Sequence, residues 1–259
     1  MDLQLRGKRA LVSGSTAGIG LGIAKALARE GAAVIVNGRT QARVDAAIAE
    51  VGPGTRGVAA DLETAKGAAR VVEEVPEVDI LVNNVGVFEA RPFIEIKDED
   101  WLRLFETNVL SGVRLTRHYL PRMVARGWGR VLFISSESGL QIPTEMIHYG
   151  LTKTAQLALS RGVAESVAGS GVTVNAVLPG PTRSEGVGAF VEGLARSKNV
   201  SPAQVERDFF RETRPTSLLK RFESPEEVAA AVVFLASPLA SGITGSALRV
   251  DGGVVRSIA

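Results

Sequence analysis

The chain contains no cysteine. Disulfides, thiolate nucleophiles and cysteine-ligated metals are thereby excluded. Histidine is nearly as scarce, with only His118 and His148 present. That is too few for a histidine-rich site, so no metal is expected. A surplus of one charge is also lacking. The 30 Lys and Arg stand against 28 Asp and Glu, for a formal net charge of +2. The basic residues are scattered and form no stripe, which argues against a nucleic-acid partner. The longest apolar run, 228–236, is far too short to span a bilayer. Residues 1–8 place no apolar core behind a basic start, so no secretory signal is read there. No membrane partner and a cytoplasmic location are therefore expected.

What is present is the composition of a globular chain, 45% hydrophobic and 22% charged. At 259 residues it can bury one sizeable α/β core. Apolar β-rich runs lie at 9–13, 33–37, 56–60, 79–83, 130–135, 172–178 and 247–250. Helical patterns at 19–30, 41–51, 63–74, 98–126, 148–168 and 225–236 alternate with them. Continuous apolar strands interleaved with helices imply a parallel sheet covered on both faces. The expected fold is α/β, a single domain over 1–259 with a doubly wound parallel sheet of about seven strands. Segment 181–215 breaks the alternation, and an insertion of that length reads as a substrate-binding lid.

Tyrosine is scarce too, and one of the two precedes a lysine by four residues, in Tyr149-Gly150-Leu151-Thr152-Lys153. On a helix the two side chains share a face. There an ammonium can lower a phenol from its ordinary value of ~10. Such a tyrosine is a general acid toward a carbonyl and a general base toward an alcohol. Ser136, thirteen residues upstream of Tyr149, would hydrogen-bond the same substrate oxygen if the fold brought it alongside.

The first apolar run leads into Ser13-Gly14-Ser15-Thr16-Ala17-Gly18-Ile19-Gly20. A glycine-rich turn between a strand and a helix lets backbone approach a pyrophosphate at the helix N-terminus. The second run ends Asn37-Gly38-Arg39, without the acid that would bind a ribose 2′-hydroxyl. Arg39 offers a guanidinium to a 2′-phosphate, with Asn37, Ser15 or Thr16 as neutral donors. NADP(H) is favoured, and NAD(H) remains possible.

Taken in order, these segments resemble the short-chain dehydrogenase/reductase family over essentially the whole chain. The Gly14 to Gly20 turn is similar to the family's T-G-x-x-x-G-I-G, with Ser13 for Thr. Asp61-Leu62 matches the position that contacts adenine. Asn83-Asn84-Val85-Gly86 resembles N-N-A-G. Asn108, Ser136, Tyr149 and Lys153 match the catalytic tetrad, and Pro179-Gly180 with Thr182 resembles P-G-x-x-x-T, the Thr one place early. The resemblance implies a Rossmann-type fold with Tyr149 as acid/base. It implies that Lys153 holds the nicotinamide ribose and Ser136 orients the substrate oxygen. It also implies that Asn108 supports a water relaying protons to Lys153, that Asn84 and Gly86 line the cofactor cleft, and that 177–182 contacts the nicotinamide amide. The partner is then a small-molecule carbonyl or alcohol.

In the same family the pocket is walled by Glu137, Ser138, Ile142, Glu145, Met146 and the lid, including Phe190. Glu137 and Glu145 are open to either pocket or solvated rim. One alternative is a 3-oxoacyl-carrier-protein reductase, with Arg126 and Arg130 docking an acidic carrier. Ser170 stands where such reductases often place an arginine, which lowers that reading. A non-catalytic NADP(H) sensor would be expected to have lost a tetrad residue, and none is lost. The resemblance also implies a homo-oligomer, a dimer or a tetramer.

Overall fold

Strands buried along most of their length build the molecule, a computed structural model describing residues 2–258; of Glu185, Ala189 and Phe190 only the helical backbone is described. In chain order the first half is β1 (Arg9–Val12), α1 (Gly18–Arg29), β2 (Ala33–Gly38), α2 (Gln41–Val51), β3 (Arg56–Ala59), α3 (Ala65–Glu74) and β4 (Ile80–Asn83). Then follow α4 (Asp98–Phe105), α5 (Ser111–Ala125), β5 (Gly129–Ile134), α6 (Ile147–Ser166) and β6 (Val172–Pro179). Segment 181–215 holds α7 (Glu185–Lys198) and α8 (Pro202–Asp208), and the chain finishes with α9 (Pro225–Ala236) and β7 (Ala247–Val250).

The seven strands form one sheet in the order β3-β2-β1-β4-β5-β6-β7, and every pairing is parallel. Val12 of β1 lies opposite Val36 on one side and Val82 on the other. The chain winds outward from β1 to β3 and then returns to lay β4 beside β1. Between β1 and β4 the helix connections diverge, and a crevice opens at the carboxyl ends of the strands. Successive strand residues point to opposite faces, so each strand feeds two cores. Val12, Val36, Val82 and Ile134 pack with Ile23 and Leu27 of α1 and with Val232 and Leu235 of α9. Leu11, Ile35, Leu81 and Phe133 pack with Val71 of α3 and with Leu115, Tyr119 and Met123 of α5. Tyr119, the second tyrosine, donates its hydroxyl to the Val75 carbonyl at 2.7 Å and is a core residue.

The expected seven-stranded, doubly wound fold is therefore the one observed. Two local differences bear on function. The helix expected over 98–126 is interrupted by a π-turn, Glu106–Leu110, between α4 and α5. Such single-turn widenings reorient a side chain at a functional position, and this one carries Asn108. Segment 181–215 is largely helical, with α7 and α8 followed by a second π-turn, Phe209–Thr213. Its Val191, Ala195, Val205 and Phe210 form a small core with Phe222, which follows the segment.

Candidate active site

Ser136 follows the end of β5 and caps a short turn, accepting the Ser138 N–H on its hydroxyl. Beside it, Ser135 donates to the Lys153 carbonyl at 2.9 Å, which pins α6 against the strand end. Tyr149 and Lys153 project from consecutive turns of α6, and the Lys153 ammonium lies 5.6 Å from the Tyr149 ring centre. That ammonium donates to the Ile134 carbonyl at 2.9 Å and to Gln156 Oε1 at 3.2 Å. The side chain of Asn108, 1% exposed, is engaged on both ends. Its Oδ1 accepts from the Val87 N–H at 2.8 Å, while Nδ2 donates to the Val87 carbonyl and to Thr152 Oγ1, each at 2.9 Å. The fold thus brings the four tetrad positions into one region at the carboxyl end of the sheet.

Gln156 is a site residue that sequence reasoning missed. Its Nε2 donates to the Asn108 carbonyl at 2.5 Å, and its Oε1 accepts from Lys153. A carbonyl only accepts and an ammonium only donates, so the amide can sit one way round. A side chain therefore links the Asn108 backbone to Lys153. The available signal was spacing, because residue i+3 after Lys153 shares its helix face.

The electrostatics differ from expectation in one respect. The lysine was expected to lower the tyrosine. Instead burial, and then the Glu137 carboxylate, push the Tyr149 phenol above the ordinary tyrosine range; the Ser136 hydroxyl and the Arg214 charge oppose them. Burial lowers Lys153 from 10.5 to about 7. Loss of solvation disfavours the charged form of both groups. The ammonium is also engaged by the Ile134 carbonyl and Gln156 Oε1.

On the other side of the crevice the glycine turn joins β1 to α1. Gly14 has φ +59°, a conformation that side chains disfavour. A Cβ on Gly20 would stand 2.5 Å from both the Gly14 carbonyl and the Asn84 Nδ2. Asn84 clamps the turn by donating to the carbonyls of Ser13 and Gly14, each at 3.0 Å. No side chain caps α1, and its first turn carries no acid, so its amide end suits an anion. Thr16, Gly18 and Ile19 complete this half-exposed turn. The cradle fits the pyrophosphate of a dinucleotide.

Two expected cofactor contacts are placed beneath the turn. The Ser15 hydroxyl donates to the Val12 carbonyl at 2.6 Å and accepts from the Asn37 N–H. Asn37 spends its amide on the carbonyls of Val58 and Ala60 and on the Gly14 N–H. Both residues are buried, and their donors are committed to shaping the loop. Arg39 is exposed at the end of β2, as is Asp61 after β3, while Leu62 is buried. Gly86 lies so near the tetrad that a Cβ there would come within 3.3 Å of Lys153 Nζ. Pro179 ends β6, and Thr182 donates back to the Gly180 carbonyl at 2.9 Å.

Of the expected pocket residues, Glu137 is buried at 4% exposure, whereas the Glu145 side chain is 43% exposed. The first is wall and the second is rim. Ser138 is buried behind Glu137 and donates to it at 2.8 Å. Ile142 is partly exposed over Gly150, and Met146 lies at the start of α6. The side chain of Phe190 lies outside the described residues. Arg214, second of the missed residues, reaches from segment 181–215 and donates to Glu137 and Glu145, each at 3.1 Å. Its only sequence signal was a place inside 181–215.

Arg126 and Arg130, expected at a carrier-protein entrance, are not there. Arg130 is 2% exposed and bonds to the carbonyls of Gly129, Gly171 and Ser237. Arg126 pairs with Glu77 and Asp79. Both flank the start of β5, whereas Ser136 follows its end. A strand rises ~3.3 Å per residue, which sets them on opposite ends of the sheet.

Among the described residues no cluster of His, Asp or Glu could hold a metal, and no helix is long and apolar enough to cross a membrane. A family model described as enoyl-(acyl carrier protein) reductase matches residues 14–255. The chain is 51% identical to the uncharacterized oxidoreductase YvrD of Bacillus subtilis (strain 168), covering all of both chains. It is 34% identical to the 3-oxoacyl-[acyl-carrier-protein] reductase FabG of Aquifex aeolicus (strain VF5), over 98% of this chain and all of that one. It superposes with a TM-score of 0.95, at 33% identity over all of both chains, on L-sorbose reductase from Gluconobacter frateurii, solved with NADPH and L-sorbose. The glycine turn, the tetrad positions and the sheet order agree with these likenesses, and the chain belongs to the short-chain dehydrogenase/reductase family of oxidoreductases.

Proposed function

We propose that the protein is an NADP(H)-preferring oxidoreductase that interconverts a ketone and a secondary alcohol. The observation that carries this reading is the meeting of Ser136, Tyr149 and Lys153 at the carboxyl end of β5, across the crevice from an uncapped, glycine-lined α1. The dinucleotide would supply or take up the hydride. Tyr149 gives a proton to the carbonyl oxygen during reduction and removes it from the alcohol during oxidation. Ser136 hydrogen-bonds the same oxygen as charge develops on it. Lys153 would hold the ribose, with Asn108 and Gln156 fixing its position. Gly14, Thr16, Gly18, Ile19 and Gly20 would cradle the pyrophosphate, with Ser15 and Asn37 shaping that loop. Asp61 and Leu62 would flank the adenine, while Asn84, Gly86, Pro179, Gly180 and Thr182 would border the nicotinamide half. Arg39 has no protein partner among the described residues and would pair with a 2′-phosphate; the NADPH bound in the L-sorbose reductase supports that choice.

The likeness to FabG favours a second reading, a 3-oxoacyl-carrier-protein reductase. The position of Arg126 and Arg130, away from the site, weighs against it. Leu102, Phe105 and Leu151 are exposed apolar residues on α4 to α6 and support self-association as a dimer or a tetramer.

Fluorescence titration with NADPH and NADH, followed by a carbonyl panel read at the nicotinamide absorbance, tests the proposal. Preferential NADPH binding with turnover of simple or polyhydroxy ketones is expected. Turnover only of an acyl-carrier thioester would replace it with the second reading. Binding without turnover of either would overturn both.

A further inference from the structure

Glu137 sits directly after Ser136, and its two oxygens are used differently. Oε1 accepts from Arg214 Nε at 3.1 Å. Oε2 accepts the Ser136 hydroxyl at 2.5 Å, together with the Ser138 N–H at 2.5 Å and the Ser138 hydroxyl at 2.8 Å. A carboxylate only accepts, so Ser136 donates to Glu137 here, in competition with its contact to the Tyr149 phenol. That proton is the one Ser136 needs in order to hydrogen-bond a substrate carbonyl.

Substrate binding therefore takes a donor away from a buried carboxylate, which carries a penalty unless another donor replaces it. A hydroxyl on the carbon next to the carbonyl is placed to do so. The two oxygens of an α-hydroxy ketone are one carbon–carbon bond apart, and Ser136 Oγ and Glu137 Oε2 are in direct contact. The carbonyl oxygen can take Ser136 while the neighbouring hydroxyl donates to Glu137. Charge narrows the class further. Arg214 is shared between Glu137 and Glu145, so two carboxylates face one guanidinium. A substrate bearing its own carboxylate meets surplus negative charge, a repulsive contribution to specificity.

We propose that Glu137, held by Arg214, is a specificity-determining residue selecting uncharged carbonyl compounds with a hydroxyl on the adjacent carbon, and vicinal diols in the reverse direction. The inference rests on the carbonyl–alcohol reading above. The adjacent hydroxyl is recognised and not consumed: hydride goes to the carbonyl carbon, and the Tyr149 proton goes to its oxygen.

The test compares kcat/KM, with saturating NADPH, for 3-hydroxybutan-2-one, butan-2-one and acetoacetate. A site that hydrogen-bonds a substrate hydroxyl discriminates strongly against an analogue without it. The wild-type protein should favour the hydroxy ketone over butan-2-one by at least about tenfold and should disfavour acetoacetate. In Glu137→Gln the hydroxyl preference should shrink to about threefold or less, with acetoacetate gaining relative to both. If Glu137→Gln does not fold, Glu137→Asp is read on the same ratio; it keeps the charge for Arg214 but withdraws the oxygen by one methylene. Equal wild-type turnover of the two uncharged ketones overturns the proposal, as does a preference that survives in the folded variant. Turnover of none of the three by wild-type protein that binds NADPH overturns the carbonyl reading itself, a distinguishable result.

Discussion

Lys153→Met should change how stability depends on pH, and the direction follows from the buried ammonium. Burial lowers Lys153 from 10.5 to about 7 in the folded protein. Below about pH 7 the lysine is protonated in both folded and unfolded chains, and the unfavourable burial of its charge is fully present. Between about 7 and 10.5 the unfolded chain still holds a proton that the folded chain has released. Stability attributable to this residue therefore rises with pH across that window. At about 1.4 kcal/mol per pH unit the whole window is worth at most about 5 kcal/mol. Between pH 6 and pH 9 the gain is about 2.5 kcal/mol. Replacement by Met removes the titration while filling a similar volume. It leaves the Ile134 carbonyl and Gln156 Oε1 without a donor, a penalty that does not vary with pH and drops out of the slope. Urea unfolding of both proteins by circular dichroism at half-unit intervals gives the difference in unfolding free energy. Wild type should gain on the variant as pH rises, with the steepest change above pH 7. A difference that stays flat within about 0.5 kcal/mol, or that falls with pH, would refute the buried-ammonium account.

Tyr149→Phe should lower kcat by about 10²–10⁴ while leaving NADPH fluorescence titration nearly unchanged; appreciable turnover would remove the acid/base assignment. Arg39→Asp should shift the NADPH-to-NADH ratio of kcat/KM toward NADH by about 10- to 100-fold, the worth of one charge-assisted hydrogen bond, and an unaltered ratio would deny the 2′-phosphate contact. Gly20→Ala forces a Cβ to within 2.5 Å of the Gly14 carbonyl. Dinucleotide binding should weaken at least about tenfold through distortion of the turn, and normal titration would show that the turn does not hold phosphate.

How much of this was legible beforehand depended on the range of the signal. Sheet composition, strand number and the two-faced core follow from local alternation of apolar runs, because a strand buried on both faces carries that in its own residues. The glycine turn and the Tyr149–Lys153 pair were legible for the same reason, each being one uninterrupted segment. The π-turn at Asn108 was not, since a helical pattern does not reveal one widened turn. Nor was the partner of each polar group. Ser15 and Asn37 read as ligand donors until tertiary contacts with Val12, Val58 and Ala60 committed them. Arg126 and Arg130 read as an entrance until the strand direction set them at the far end. The sequence by itself determined the fold class, the family and the tetrad positions. Only the tertiary structure decided what burial does to Tyr149 and Lys153, and that Arg214, 77 residues from Glu137, holds its carboxylate. Desolvation and long-range pairing depend on which segments exclude water together, and no local pattern encodes that.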